Sequence, residues 1–202
     1  GSIFNRSSIT VSGRAEKTTD ILLFNNGSQV ADPVKTNSNG YFSGAIVLLE
    51  GENTLRAAAR NRAGIGPSSA EIVVTLDTDI PQSPIDFSAK AVEGGGIKLS
   101  WKEPFGIPVA GCNIYRSDSE FTTVSEAERL TNYLVAGKTY TDLPPHDGTW
   151  FYRISSETAA GNESPLSGQV SAVADSVMPR AVSISYFPLG IYDQATGRFG
   201  PG

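Results

Sequence analysis

Apolar and polar residues alternate with a period of two along much of this chain. That pattern predicts strands, because successive side chains of a strand point to opposite faces. The clearest stretch is Ile97-Lys98-Leu99-Ser100-Trp101, which puts Ile97, Leu99 and Trp101 on one face. It follows the turn-forming Gly94-Gly95-Gly96 and stops before Glu103-Pro104, so both ends are marked. Trp150-Phe151-Tyr152-Arg153-Ile154 carries an equally apolar face, and two such faces can close a sandwich core around Trp101.

The same signals fill the first part of the chain. Ile9-Thr10-Val11-Ser12-Gly13 alternates, and Ile21-Leu22-Leu23-Phe24 runs into Asn25-Asn26-Gly27-Ser28. Asn-Gly tolerates positive φ at both central positions of a tight hairpin. Asn39-Gly40 repeats the device ahead of a strand over Tyr41 to Leu48, and Gly51-Glu52-Asn53 reads as a turn into Thr54 to Ala59. Ala57-Ala58-Ala59 favours helix by propensity, but the span between turns is too short for one, so a strand is expected. After the turn at Asn61 to Gly64, a strand over Glu71 to Leu76 closes this segment.

Asp77-Thr78-Asp79-Ile80-Pro81-Gln82-Ser83-Pro84 reads as a linker whose prolines break any ladder and restrict φ, implying a stiff joint. The expected fold class is therefore all-β. One β-sandwich covers 1–78, a second covers 79–175, and a tail over 176–202 carries an extended strand at Val182-Ser183-Ile184-Ser185-Tyr186. Such a tail is too short to fold alone and reads as the start of a further module, its strand seeking an edge to pair with.

The first segment resembles a family of bacterial immunoglobulin-like modules. The features that match are Val11-Ser12-Gly13-Arg14-Ala15, Asn39-Gly40-Tyr41-Phe42-Ser43, Leu48-Leu49-Glu50-Gly51-Glu52-Asn53, Arg60-Asn61-Arg62-Ala63-Gly64 and Leu76-Asp77. The second resembles a fibronectin type III module through Pro84 to Ala89, Ile97 to Trp101, Gly111-Cys112-Asn113-Ile114-Tyr115-Arg116-Ser117, Tyr140-Thr141-Asp142 and the loop Ala160 to Ser167. Trp150 stands where that family usually has a tyrosine whose hydroxyl ties down the corner; an indole can donate but not accept. The resemblance implies a non-catalytic region of a larger secreted or surface bacterial protein, extracellular, at the cell surface or periplasmic, whose modules act as spacers and adhesive surfaces. The alternatives are an accessory region of a secreted polysaccharide-degrading enzyme and an assembly subunit that donates its tail strand.

Candidate chemistry is sparse. The chain has one histidine and one cysteine, so a Ser-His-Asp or Cys-His arrangement would have to use His146, with Cys112 as one conceivable nucleophile. Alternation puts Cys112 beside Ile114 on an inward face, and Pro144-Pro145-His146-Asp147-Gly148 reads as a surface turn, so core packing and solvation explain both better. No Cys/His set suits zinc or iron, and no glycine loop precedes a helix to cradle phosphate. Asp77 and Asp79 flank the junction, and such carboxylates could share a calcium ion with loop carbonyls.

Tyr41, Phe42, Phe105, Phe121 and Tyr133 lie near loops, where rings either stack on sugars or anchor the ends of a sandwich; a protein or surface glycan partner is left open. Sixteen Lys+Arg against 21 Asp+Glu, dispersed to a net charge of -5, argue against nucleic-acid binding. The longest apolar run, Ala45 to Leu49, is far short of a membrane span. Gly1-Ser2 reads as a cloning remnant, so no targeting signal is expected at this start.

Overall fold

The computed structural model describes residues 1–177 and, beyond them, only the backbone pairing of Tyr192–Asp193 with Arg198–Phe199. The strand expected at Val182 to Tyr186 lies outside the described residues. Strands dominate, as the alternation predicts. Up to the linker they are β1 (Ser2–Phe4), β2 (Ser8–Arg14), β3 (Asp20–Asn25), β4 (Ser28–Gln29), β5 (Val34–Lys35), β6 (Tyr41–Val47), β7 (Gly51–Asn61), β8 (Gly64–Ser68) and β9 (Ile72–Leu76).

One sheet has the order β1-β9-β7-β3-β4, with β5 also on β3 and β8 also on β7; among the described residues the other contains β2 and β6 alone. Between them lie Ile21, Leu23, Ile46, Leu48, Leu55, Val74 and Leu76. Each such aliphatic side chain contributes about 1.5–3 kcal/mol on leaving water.

The hairpin at Asn26-Gly27 forms as its sequence requires. Asn26 takes φ 48° and Gly27 φ 80°, and Asn25 pairs with Ser28 across the turn. Two readings change. Gly51-Glu52-Asn53 is not a turn but the start of β7, since Gly51 pairs with Leu76 and Asn53 with Val74. The chain reverses just before Gly51, whose φ of 85° completes the reversal. β8 carries no strand pattern because Gly64, Gly66 and Pro67 punctuate it, yet it pairs with β7 at an exposed edge, where a missing proline N–H costs nothing.

After the linker come β10 (Ile85–Val92), β11 (Gly96–Lys102), β12 (Gly111–Ser117), β13 (Glu128–Arg129), β14 (Thr139–Asp142), β15 (Gly148–Glu157) and β16 (Val170–Ala174). A β10-β11-β14 sheet packs on a β13-β12-β15-β16 sheet. The two inward faces read from the sequence meet as expected: Ile97, Leu99 and Trp101 from β11 join Trp150, Tyr152 and Ile154 from β15 in one core with Cys112 and Ile114. Glu93–Gly95 forms a single 3-10 turn ahead of β11, with positive φ at Gly94 and Gly95.

Candidate functional site at the module junction

The linker meets the second sandwich through side chains rather than through stiff backbone alone. The Asn162 side-chain amide donates to the Asp77 carbonyl at 2.7 Å, Asn5 donates to the Gly161 carbonyl at 3.1 Å, and the Ser83 hydroxyl donates to the Pro165 carbonyl at 2.6 Å. All three reach the loop that follows β15. That loop is held locally: Thr158 N–H bonds to the Asn162 carbonyl, and Gly161 N–H bonds to the Thr158 carbonyl. Gly161 takes φ 86°, a conformation that favours glycine. Pro81 and Pro84 are buried, so the joint is clamped from both sides.

Asn162→Ala leaves the Asp77 carbonyl without its partner, a loss of about 1 kcal/mol. The expected result is that NMR relaxation reports two modules tumbling more independently while each keeps its fold; unchanged relaxation would show that the prolines alone set the joint.

The Asp77 and Asp79 pair is also placed here. The Asp79 N–H donates to the Asp77 side chain at 3.1 Å, while the Thr78 N–H and hydroxyl donate to Glu50 at 3.2 and 2.9 Å. Asp77 thus spends its carboxylate on a local turn and its carbonyl on Asn162. Among the described residues, no group of three or more His, Cys, Asp or Glu gathers as an ion site.

Beside the same loop, Glu163 accepts from Tyr115 at 2.8 Å, from Asn113 at 3.0 Å and from Ser155. Burial opposes its ionisation, but the donors Ser155, Tyr115 and Asn113, with the charge of Arg129, outweigh it and hold the carboxyl below its ordinary range. Burial, then the Glu163 carboxylate, pushes the Tyr115 phenol up to about 12.

A folded-state pKa below the ordinary value of 4.5 means that this contribution is complete above that pH and is lost as pH falls through the folded pKa. Glu163→Gln is therefore expected to lower the melting temperature at neutral pH, with the deficit shrinking as the buffer is taken below 4.5. A deficit constant with pH would assign the effect to packing.

The second sandwich contains a buried ion network that the sequence reading missed. Arg116 donates to both Asp142 oxygens at 3.0 Å and to Glu128 at 2.6 Å, and Tyr152 donates to Asp142 at 2.7 Å. The guanidinium lies 4.9 Å from the centre of the Trp150 ring. Burial acts against the Arg116 charge, but Glu128 and Asp142 outweigh it, so its pKa is raised. A signal did exist: alternation puts Arg116 in phase with Cys112 and Ile114, and Asp142 in phase with Tyr140, so opposite charges point inward on two strands.

The corner before β15 is closed by the indole itself. Trp150 Nε1 donates to the His146 carbonyl at 3.0 Å, so the bond needs only a donor and the ring nitrogen supplies one. His146 is exposed, its ring 4.8 Å from that of Trp150. Cys112 is buried and pairs across to Ser156, at the other end of β15, so the structure does not bring thiol and imidazole together. Burial pushes the thiol up to about 11, away from nucleophilic chemistry. Of the loop aromatics, Phe121 is buried and Phe42 packs on the first core, whereas Tyr41, Phe105 and Tyr133 are exposed.

No family model matches this chain. A stretch of 82 residues is 37% identical to Bacillopeptidase F of Bacillus subtilis (strain 168), taking in 41% of this chain and 6% of that protein's length. Among solved structures, the fibronectin(III)-like modules of CbhA from Clostridium thermocellum align at TM-score 0.59 and 12% identity, over 92% of this chain and 95% of theirs. The FN1-FN3 domains of chicken CNTN1 align at TM-score 0.61 and 16% identity, over 86% of this chain and 65% of theirs. Domains A168-A170 of titin align at TM-score 0.54, 16% identity, over 86% of this chain and 60% of theirs. At these identities the likeness is one of fold, and the fold is that of fibronectin type III-like β-sandwiches in tandem.

Proposed function

We propose that this chain is a non-catalytic spacer of two modules, 1–78 and 79–175, the first immunoglobulin-like and the second fibronectin type III-like, within a larger secreted or surface bacterial protein. The observation that carries this reading is the junction, where Asn162 and Asn5 bond between the two modules and Ser83 pins the linker to the second. A spacer transmits position, and that requires closed cores and a joint that does not swing freely. The exposed Tyr41, Phe105 and Tyr133 are available for an adhesive role.

Small-angle scattering of the chain is the direct test. A single extended particle supports the reading, and a broad ensemble of inter-module distances overturns it.

One observation favours a second reading within the same class. The stretch shared with Bacillopeptidase F supports a place beside a catalytic domain, as an accessory region of a degradative enzyme. That reading predicts that the chain hydrolyses neither protein nor polysaccharide by itself, but changes the turnover of an attached catalytic domain on insoluble substrate.

A further inference from the structure

The first sandwich is open along one side. Ser8 to Arg14 pair with Val47 to Tyr41, and the flanking bonds, Leu48 N–H to the Ser7 carbonyl and Ala15 N–H to the Gly40 carbonyl, fix the phase of the ladder. Ile9, Val11 and Gly13 therefore exchange hydrogen bonds with β6, whereas the N–H and C=O groups of Ser8, Thr10, Ser12 and Arg14 point away from it. Among the described residues nothing pairs with that outer edge. Beside it a cleft of about 370 Å³ opens between the sheets, lined by Val11, Phe42, Leu55, Ala57, Pro67 and Ile72. Ile72 is 62% exposed. A bare ladder edge next to an apolar cleft is suited to an added strand with apolar side chains on one face only.

We propose that this edge and cleft take the segment Val182-Ser183-Ile184-Ser185-Tyr186 of a second copy of the chain as an added strand, with Val182, Ile184 and Tyr186 turned into the cleft. The alternation of that segment matches a site that is apolar inside and wet outside.

The donor has to be another molecule. β16 ends at Ala174 opposite Gly148, whereas Glu157, at the far end of β15, leads into the loop that grips the junction. The tail thus leaves from the end of the second sandwich remote from the first, about 30 Å away along β15. The five residues from Val177 to Val182 span at most about 18 Å. Donation from one copy to the next is head-to-tail, so the assembly is an open chain unless its rotation closes a ring.

The test is light scattering coupled to size-exclusion chromatography over a range of concentrations, on the full chain and two variants. Ile184→Lys disables the donor. Thr10→Pro disables the acceptor edge by removing an outward N–H while leaving every β2–β6 bond in place. The full chain is expected to gain mass with concentration, each variant to associate about ten- to hundredfold more weakly, and their mixture to form one-to-one dimers, because each retains the half that the other lacks.

A full chain that stays monomeric overturns the proposal, as does an Ile184→Lys chain that associates like its parent, or a mixture that stays monomeric when both variants are folded. Should Thr10→Pro fail to fold, titration calorimetry of a peptide of residues 178–190 into the Ile184→Lys chain decides: saturable binding supports the proposal, and no binding overturns it. The scattering test of the spacer reading follows inter-module distance rather than mass, so the two ideas fail separately.

Discussion

Asp142→Ala is expected to cost the second sandwich about 3–5 kcal/mol in equilibrium urea unfolding, the usual penalty for removing one partner of a buried ion pair. The reason lies in what stays behind. Arg116, 8% exposed, loses both of its bonds to the carboxylate, and the Tyr152 hydroxyl, fully buried, loses the acceptor that Asp142 supplies. Glu128 still holds the guanidinium but is itself exposed, so it cannot replace the inner charge. The control is the double variant Arg116→Met, Asp142→Leu, which removes both charges and should recover much of the loss, because desolvation offsets most of what such a pair gains. A loss below about 1 kcal/mol for Asp142→Ala would show that water reaches the network.

The second large effect belongs to the first sandwich. Asn53 is completely buried, and its amide is saturated: it donates to the Leu49 and Gly51 carbonyls at 2.7 and 2.8 Å and accepts from Leu49 N–H at 2.8 Å and Asn25 at 2.6 Å. One side chain therefore ties the reversal before β7 to itself and to β3. Asn53→Ala is expected to cost about 3 kcal/mol by leaving several of these groups unpartnered. Asn53→Asp separates hydrogen bonding from volume, because it keeps the shape but replaces two donations by repulsion between oxygens. It should be at least as harmful as alanine in thermal melts; an aspartate variant close to the parent chain would show that packing alone matters.

These two sites mark what the sequence could convey. Strand positions and inward faces were legible, because a period of two is a property of neighbouring residues. Ile97, Leu99 and Trp101 sit where their alternation puts them, and Asn26-Gly27 turns because few other pairs can. Pairings between distant residues were not legible in the same way. Asn53 looked like one more turn residue, and only its contacts with Leu49 and Asn25 reveal a knot. Asn162 was equally silent, since its partner lies across the module boundary at Asp77. Arg116 and Asp142 were legible in principle, because a charge in phase with a core stripe asks for a partner. The corner at Trp150 was read by the wrong property, acceptance instead of donation.

Both tryptophans of the chain, Trp101 and Trp150, lie in the second core, and the first sandwich has none. Intrinsic tryptophan emission is therefore an optical label for one module of the pair, present without chemical modification. Circular dichroism sees the strands of both. Recorded together on one unfolding curve, the two signals divide any loss of stability between the modules: a variant at Asn53 should move the dichroism and leave the emission in place, while one at Asp142 should move both.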